Sequence, residues 1–271
     1  MLKEILENVR EARPLVQNIT NFVTVNDCAN ITLAIGASPT MADDVEEVEE
    51  ISSICSSLNL NVGTLRKAPA MLKAGKRAKE LGHPIVMDPV GAGASVPRTE
   101  TARLIMKEVK PDVIRGNISE IKSLAIGGAT TKGVDANECD LVTRENLDKA
   151  VEMAKSFAQN SGAVIAITGA IDIVADSERA YCIFNGDKRM SDITGTGCML
   201  SSLIGAFIGA NKDNILNAVA TAVISMGVCG EIGAERLSSK DGNASYRNYI
   251  IDAVYNLTGD DLERRAKYEI R

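Results

Sequence analysis

The segment Asp192-Ile193-Thr194-Gly195-Thr196-Gly197-Cys198 precedes an apolar stretch from Met199 to Ile208. A glycine-rich turn that opens a helix aims free backbone N–H groups at an anion, and the helix dipole adds to the attraction. Gly195, Thr196, Gly197 and Cys198 are therefore candidates for an anion hole. A tight turn before a buried helix is the competing reading. A free cysteine is usually a small hydrophobe, but at a helix N-terminus its thiolate is favoured. Asp88, in Asp88-Pro89-Val90-Gly91-Ala92-Gly93-Ala94, and Glu120 are carboxylates able to bind Mg²⁺ directly or through water. Alternatively, Asp88 caps a turn and Glu120 is a helix-start charge. An aspartate before proline is odd for pure packing. Arg115 suits a two-pronged phosphate clamp, or is a surface arginine. Thr168 either offers a hydroxyl to a phosphate or ends a strand. Met41 either flanks a flat apolar ligand or sits in the core.

These residues need a scaffold that gathers them. Short apolar runs alternate with helical patterns. Strands are expected at Leu15–Ile19, Ser57–Val62, Pro84–Asp88, Asp112–Ile114 and Ala163–Ile167. Between them, helices are expected at Val23–Ile35, Asp43–Cys55, Ala68–Leu81, Thr99–Val109, Ser119–Ile126 and Leu147–Phe157. Gly127–Val142 reads as a long loop. A meander of short strands follows at Ile171–Ala175, Ala180–Phe184 and Lys188–Met190, with Asn185-Gly186 as a hairpin turn. From Gly195 onward the pattern is almost all helix. Alternating βα units imply a mainly parallel central sheet with helices on both faces. Ligands then sit beyond the carboxyl ends of the strands. Asp88, Arg115 with Glu120, and Thr168 stand at or just after such ends.

Composition narrows the function classes. The 271 residues suit one α/β domain, spanning 1–271. A net charge of −6 argues against non-specific nucleic-acid binding. Aromatics at 3%, with no Trp, leave little to stack on bases or to form a membrane belt. A single histidine makes a zinc site unexpected. The scattered Cys28, Cys55, Cys139, Cys182, Cys198 and Cys229 fit reduced thiols in a cytoplasm. The apolar runs near 198–210 and 218–230 fall short of a membrane span. No Walker loop is present, and no G-x-G-x-x-G follows the first strand, which excludes a nicotinamide-dependent dehydrogenase.

Together the motifs resemble the hydroxyethylthiazole kinases, thiamine-salvage enzymes of the ribokinase-like superfamily. The matching segments are Ile19-Thr20-Asn21, Gly36 to Ala42, Asn61-Val62-Gly63-Thr64, Asp88 to Ala94, Ile114 to Asn117 with Glu120, Ala166 to Gly169, and Thr194 to Cys198. They stand in the family's order. The resemblance implies a ribokinase-like α/β domain without a separate lid. It implies MgATP-dependent phosphorylation of a methylthiazole's hydroxyethyl group, with ATP as co-substrate and Mg²⁺ at Asp88 and Glu120. Arg115 and Thr168 correspond to ATP-contacting positions, and Met41 and Gly195 to substrate-contacting ones. Asn21 and Gly63 fall in segments that line the thiazole pocket. Cys198 stands where most of the superfamily has an aspartate base. A homotrimer with sites at subunit boundaries is implied as well. Competing readings are a hydroxymethylpyrimidine kinase, an ATP-dependent hydrate dehydratase, or a non-catalytic nucleotide- or thiazole-binding protein. Cys198 and Met41 weigh against the two enzymes.

Overall fold

A computed structural model describes residues 1–125 and 141–271. The expected loop at 127–142 lies almost wholly outside them, as do Ile126 and Cys139. The strands form one sheet in the order β2 (Ser38–Thr40), β1 (Leu15–Ile19), β3 (Ser57–Asn61), β4 (Ile85–Asp88), β5 (Val113–Asn117), β6 (Val164–Thr168), β7 (Asp172–Ala175), β8 (Ala180–Ile183), β9 (Tyr268–Ile270). From β2 to β6 all pairings are parallel, and β6 to β9 pair antiparallel. The inner parallel strands β3 and β4 are buried on both faces, which is why such strands read as short runs rather than alternations.

Each face of the sheet has its own core. One side is covered by α1 (Leu2–Ala12), α2 (Val25–Ile35), α8 (Thr196–Ala210), α9 (Ile215–Glu235) and α10 (Asn243–Asn256). The other is covered by α3 (Val48–Ile54), α4 (Ala68–Glu80), α5 (Val96–Glu108), α6 (Ile118–Ala125) and α7 (Leu147–Ser161). Helix α11 (Gly259–Arg265) leads into β9. This is the doubly covered α/β sheet that the alternating pattern predicts.

Several local expectations change. Lys188–Met190 is not a strand but part of a 3₁₀ turn over Lys188–Asp192, because the Asp187 carboxylate accepts from the Arg189 N–H and caps it. The place beside β8 is taken by the C-terminal β9, a pairing too distant in sequence to be read locally. Asn185-Gly186 does not turn a hairpin, although Gly186 has φ 130°. The β7–β8 turn is made instead by Asp176, whose Oδ1 accepts from the Glu178 and Arg179 N–H groups. Asn185 uses its side chain to accept from the Lys267 N–H and donate to the Arg265 carbonyl, docking the C-terminal segment. The acidic helix starts at Val48 rather than Asp43, whose carboxylate pairs with Lys67. Helix α5 starts earlier than Thr99, at Val96, capped by Ser95. The short edge strand β2 was not expected. Helix α9 is long and apolar enough to cross a membrane by length and composition, contrary to the reading of 218–230. It is mostly buried, packed against α8 and α10 in the core.

Candidate active site

The carboxyl ends of β1, β3, β4 and β5 meet the N-terminus of α8. Gly195 caps that helix with φ 88°, and a Cβ there would lie 2.4 Å from Thr24 Cγ2. Only glycine fits the turn. At Gly197 a Cβ would lie 2.7 Å from Arg115 Nη1, so the turn rests directly on the guanidinium. The first N–H groups of α8 have no carbonyl one turn back within the helix to bond. Thr196, Gly197 and Cys198 thus sit where the motif places them, beside Arg115.

Asp88 is the centre of a buried polar cluster. Its Oδ2 accepts from Arg115 Nη2, from Ser201 Oγ at 3.0 Å and from Asn61 Nδ2 at 2.8 Å. Arg115 Nε also donates to Ser201 Oγ at 3.0 Å. Arg115 is therefore neither a surface residue nor an open clamp: it is buried and paired. Burial pushes the Asp88 carboxyl up to about 6, against the opposing pull of Arg115. Three donors on one oxygen mark it as ionised at neutral pH. The other oxygen, Oδ1, is buried without a partner. A buried acceptor left open is costly, and Oδ1 is free to accept a donor or a cation.

Cys198 lies beside this cluster, 8% exposed. Its Sγ accepts from Asn21 Nδ2 at 3.4 Å and from Asn61 Nδ2 at 3.3 Å. The expectation of a favoured thiolate does not hold. Burial pushes the thiol above its ordinary value, and the Asp88 charge adds to this, while Arg115 opposes it. Desolvation outweighs the helix terminus here. Gly63 packs into the same corner, where a Cβ would lie 2.8 Å from Asn61 Oδ1 and 2.9 Å from Asn21 Cβ.

Glu120 is a short way off, close enough for its charge to raise Asp88 further. Its Oε2 accepts from the Asn117 N–H at 2.9 Å while Asn117 Oδ1 accepts from the Glu120 N–H at 2.8 Å. This is a capping box that starts α6. Its Oε1 holds the Gly91 N–H at 2.9 Å, tying the loop after β4 to α6. The helix-start role is real, whatever else the residue binds. Among the described residues no group of three His, Cys, Asp or Glu side chains converges to hold a metal. Mg²⁺ asks less, one or two carboxylates plus phosphate oxygens and water, and the open Asp88 Oδ1 fits that demand. Thr168 ends β6, paired in register with Asn117, its hydroxyl 3.4 Å from the Gly116 carbonyl. Met41 is half-buried after β2, at the sheet edge.

Sequence reasoning missed Asn61 and Ser201 as members of this cluster, and Asp172 beside it. A signal for Asn61 was present: Asn18, Asn59 and Asn61 are polar residues recurring in two short strands that alternate them with leucine or isoleucine or end on them. Asp172 opens β7, and its Oδ1 accepts from the Gly169 N–H at 2.8 Å, fixing the turn after Thr168. Burial pushes this carboxyl up to about 7. A raised carboxyl stabilises the fold below its unfolded value, near 3.8, and that contribution is lost as pH rises through about 7. Asp172→Asn keeps an acceptor for Gly169 without the buried charge. It should raise Tm by about 2–4 °C at about pH 8, roughly 1 kcal/mol after allowance for the group's partial exposure. At about pH 4 the gain should vanish. Melting curves at the two pH values decide this, and an equal gain at both would contradict it.

The comparisons agree with this architecture. The model of the hydroxyethylthiazole kinase family matches residues 6–260. A hydroxyethylthiazole kinase of Clostridium acetobutylicum is 59% identical over 271 residues, covering 99% of each chain. The solved structure of a hydroxyethylthiazole kinase protein from Pyrococcus horikoshii OT3 is 34% identical, with a TM-score of 0.88 over 100% of this chain and 98% of that one. The pyridoxal kinase of Staphylococcus aureus in complex with ADP is 16% identical, with a TM-score of 0.62 over 95% of this chain and 97% of that one. That last likeness is one of fold, and the fold is ribokinase-like. With the family model matching residues 6–260 and a 59% identical relative covering 99% of each chain, the chain belongs to the hydroxyethylthiazole kinase family.

Proposed function

We propose that the chain transfers the γ-phosphoryl group of ATP to the hydroxyl of 4-methyl-5-(2-hydroxyethyl)thiazole, in thiamine salvage, as one catalytic domain over residues 1–271. The observation that carries this reading is the convergence of Asn21, Asn61, Asp88, Arg115 and Cys198 on the N-terminus of α8. Phosphoryl transfer needs mainly positioning and charge neutralisation. The N–H groups of Gly195, Thr196, Gly197 and Cys198 receive the charge that develops on the transferred group. Arg115, held by Asp88 and Ser201, presents its remaining donor edge to phosphate oxygens beside Gly197. Thr168 contributes a hydroxyl at the nucleotide end. Met41, Asn21, Gly63 and Gly195 line the thiazole side. Asp88 and Glu120 would hold Mg²⁺, directly or through water, and the ion would neutralise triphosphate charge. Cys198 accepts the hydroxyl proton. Its raised thiol points to a modest rate, while the loose transition state asks little of the base.

The exposed Phe22 and Val23 follow Asn21 directly, and they are the apolar surface a neighbouring subunit would cover in a homotrimer. The described cysteines are all unpaired, which suits a reducing cytoplasm.

The test is incubation with MgATP and a panel of thiazole and pyrimidine alcohols, followed by phosphorus NMR. The expected product is a phosphomonoester of the thiazole alcohol, with ADP in equal amount. Preferential transfer to a pyrimidine alcohol would favour a hydroxymethylpyrimidine kinase. Binding of both ligands without turnover would make the protein a binding module. Light scattering on the same sample tests the trimer, and a fully active monomer would exclude it.

A further inference from the structure

The orientation of two carboxamides in the site follows from chemistry alone. Asn61 Oδ1 lies 3.0 Å from the Gly63 backbone nitrogen, which can only donate. Its Nδ2 lies 2.8 Å from Asp88 Oδ2, a carboxylate already accepting from Arg115 and Ser201. Exchanging the oxygen and nitrogen would set carbonyl against carboxylate and amide against amide. Asn21 is fixed the same way, its Oδ1 accepting from the Val23 N–H at 3.1 Å and the Thr24 N–H at 3.2 Å. Asn21 Nδ2 also donates to Asn61 Oδ1 at 3.2 Å, so the two amides lock each other. Each is left with its NH₂ group aimed at Cys198 Sγ. The sulfur is thus an acceptor on two sides before any substrate arrives.

We propose that Asn61, together with Asn21, is a positioning residue that holds the Cys198 sulfur as a hydrogen-bond acceptor and stabilises its thiolate. This rests on the reading of Cys198 as proton acceptor. The thiol gives its proton to water; the thiolate then takes the proton of the substrate hydroxyl as the new O–P bond forms and the bond from the γ-phosphorus of ATP to its bridging oxygen breaks, with ADP as the leaving group. Two fixed N–H donors favour the charged sulfur and oppose its desolvation. The charged and titratable groups facing the sulfur are Asp88 from β4, Arg115 from β5 and Cys28 from α2. The ends of β1 and β3 present the carboxamides. Asp88 disfavours the thiolate and Arg115 favours it, so the amides act where the two charges oppose each other.

The experiment is site-resolved alkylation of Cys198 by iodoacetamide across the pH range, without substrates, read by mass spectrometry. The variants are Asn21→Ser and Asn61→Ser. Serine can still accept from the backbone N–H groups that each asparagine holds, but it lacks the NH₂ donors. Asn21→Ser also leaves the Asp88 contacts untouched, and circular dichroism reports whether each variant folds. The expected result is a rise of about one pH unit in the Cys198 alkylation midpoint in each variant, with Cys55 unchanged as the internal reference. The alkaline rise of kcat should move with it while KM for MgATP stays near the parent value. A Cys198 midpoint within about 0.3 unit of the parent in folded Asn21→Ser overturns the proposal. Cys198→Ala separates the two claims. If it turns over at the parent rate while the midpoint still shifts, the base assignment fails and the amide cradle stands.

Discussion

Arg115→Met should lower the unfolding free energy by about 3–5 kcal/mol. Arg115 is 5% exposed and its partner Asp88 is 0% exposed. Removing the guanidinium leaves a carboxylate sealed in the sheet with only Ser201 and Asn61 as donors. The carboxyl already sits at about 6 with Arg115 present. Without it the group moves further up and takes a proton near neutrality, which keeps the loss from growing larger. The double change Arg115→Met with Asp88→Asn should be less destabilised than the single, because no buried charge is stranded. Urea unfolding of the parent, both single variants and the double measures the coupling. Strictly additive losses would mean that the pair contributes nothing as a pair. Nucleotide affinity should also fall, by about 1.5–3 kcal/mol for loss of a charge-assisted contact. Titrations of MgATP and of the thiazole alcohol must be made on protein confirmed to be folded, and an equal loss for both ligands would remove Arg115 from the nucleotide side.

Cys198→Ala should lower kcat by about 10- to 100-fold at saturating ATP and thiazole alcohol. A general base is worth more than this in reactions that need strong proton removal, but a loose transition state asks little of it. KM for MgATP should change little, since the N–H groups of the α8 turn remain. Cys198→Asp should retain activity, because a carboxylate is normally almost fully ionised near neutrality. The structure sets a limit on that gain. Asp88 faces the same position, and its charge already raises the thiol. A second carboxylate beside it would itself be raised, would raise Asp88 further, and would oppose the triphosphate. The measurement is kcat and KM for the three side chains. Parent-like turnover in Cys198→Ala together with an inactive Cys198→Asp would reduce Cys198 to a packing residue.

Read residue by residue, the chain disclosed the parallel sheet and the glycine turn that opens α8. Leu15–Ile19, Ser57–Asn61, Ile85–Asp88 and Val164–Thr168 are strands close to where their apolar runs lie, because strands buried on both faces carry that signal locally. The glycines of the α8 turn were legible for a similar reason: a positive φ and a close approach to Thr24 and Arg115 leave no room for a side chain. Tertiary structure alone decided the rest. It joined β9 to β8, a partnership between distant segments that no local pattern encodes. It docked the Asn185 side chain on Arg265 and Lys267 instead of turning a hairpin there. It buried Arg115 against Asp88 and raised the Cys198 thiol where the helix terminus alone would have lowered it. Ionisation depends on how much water a fold removes and which charges it brings close. Those quantities exist only once strands far apart in sequence lie side by side.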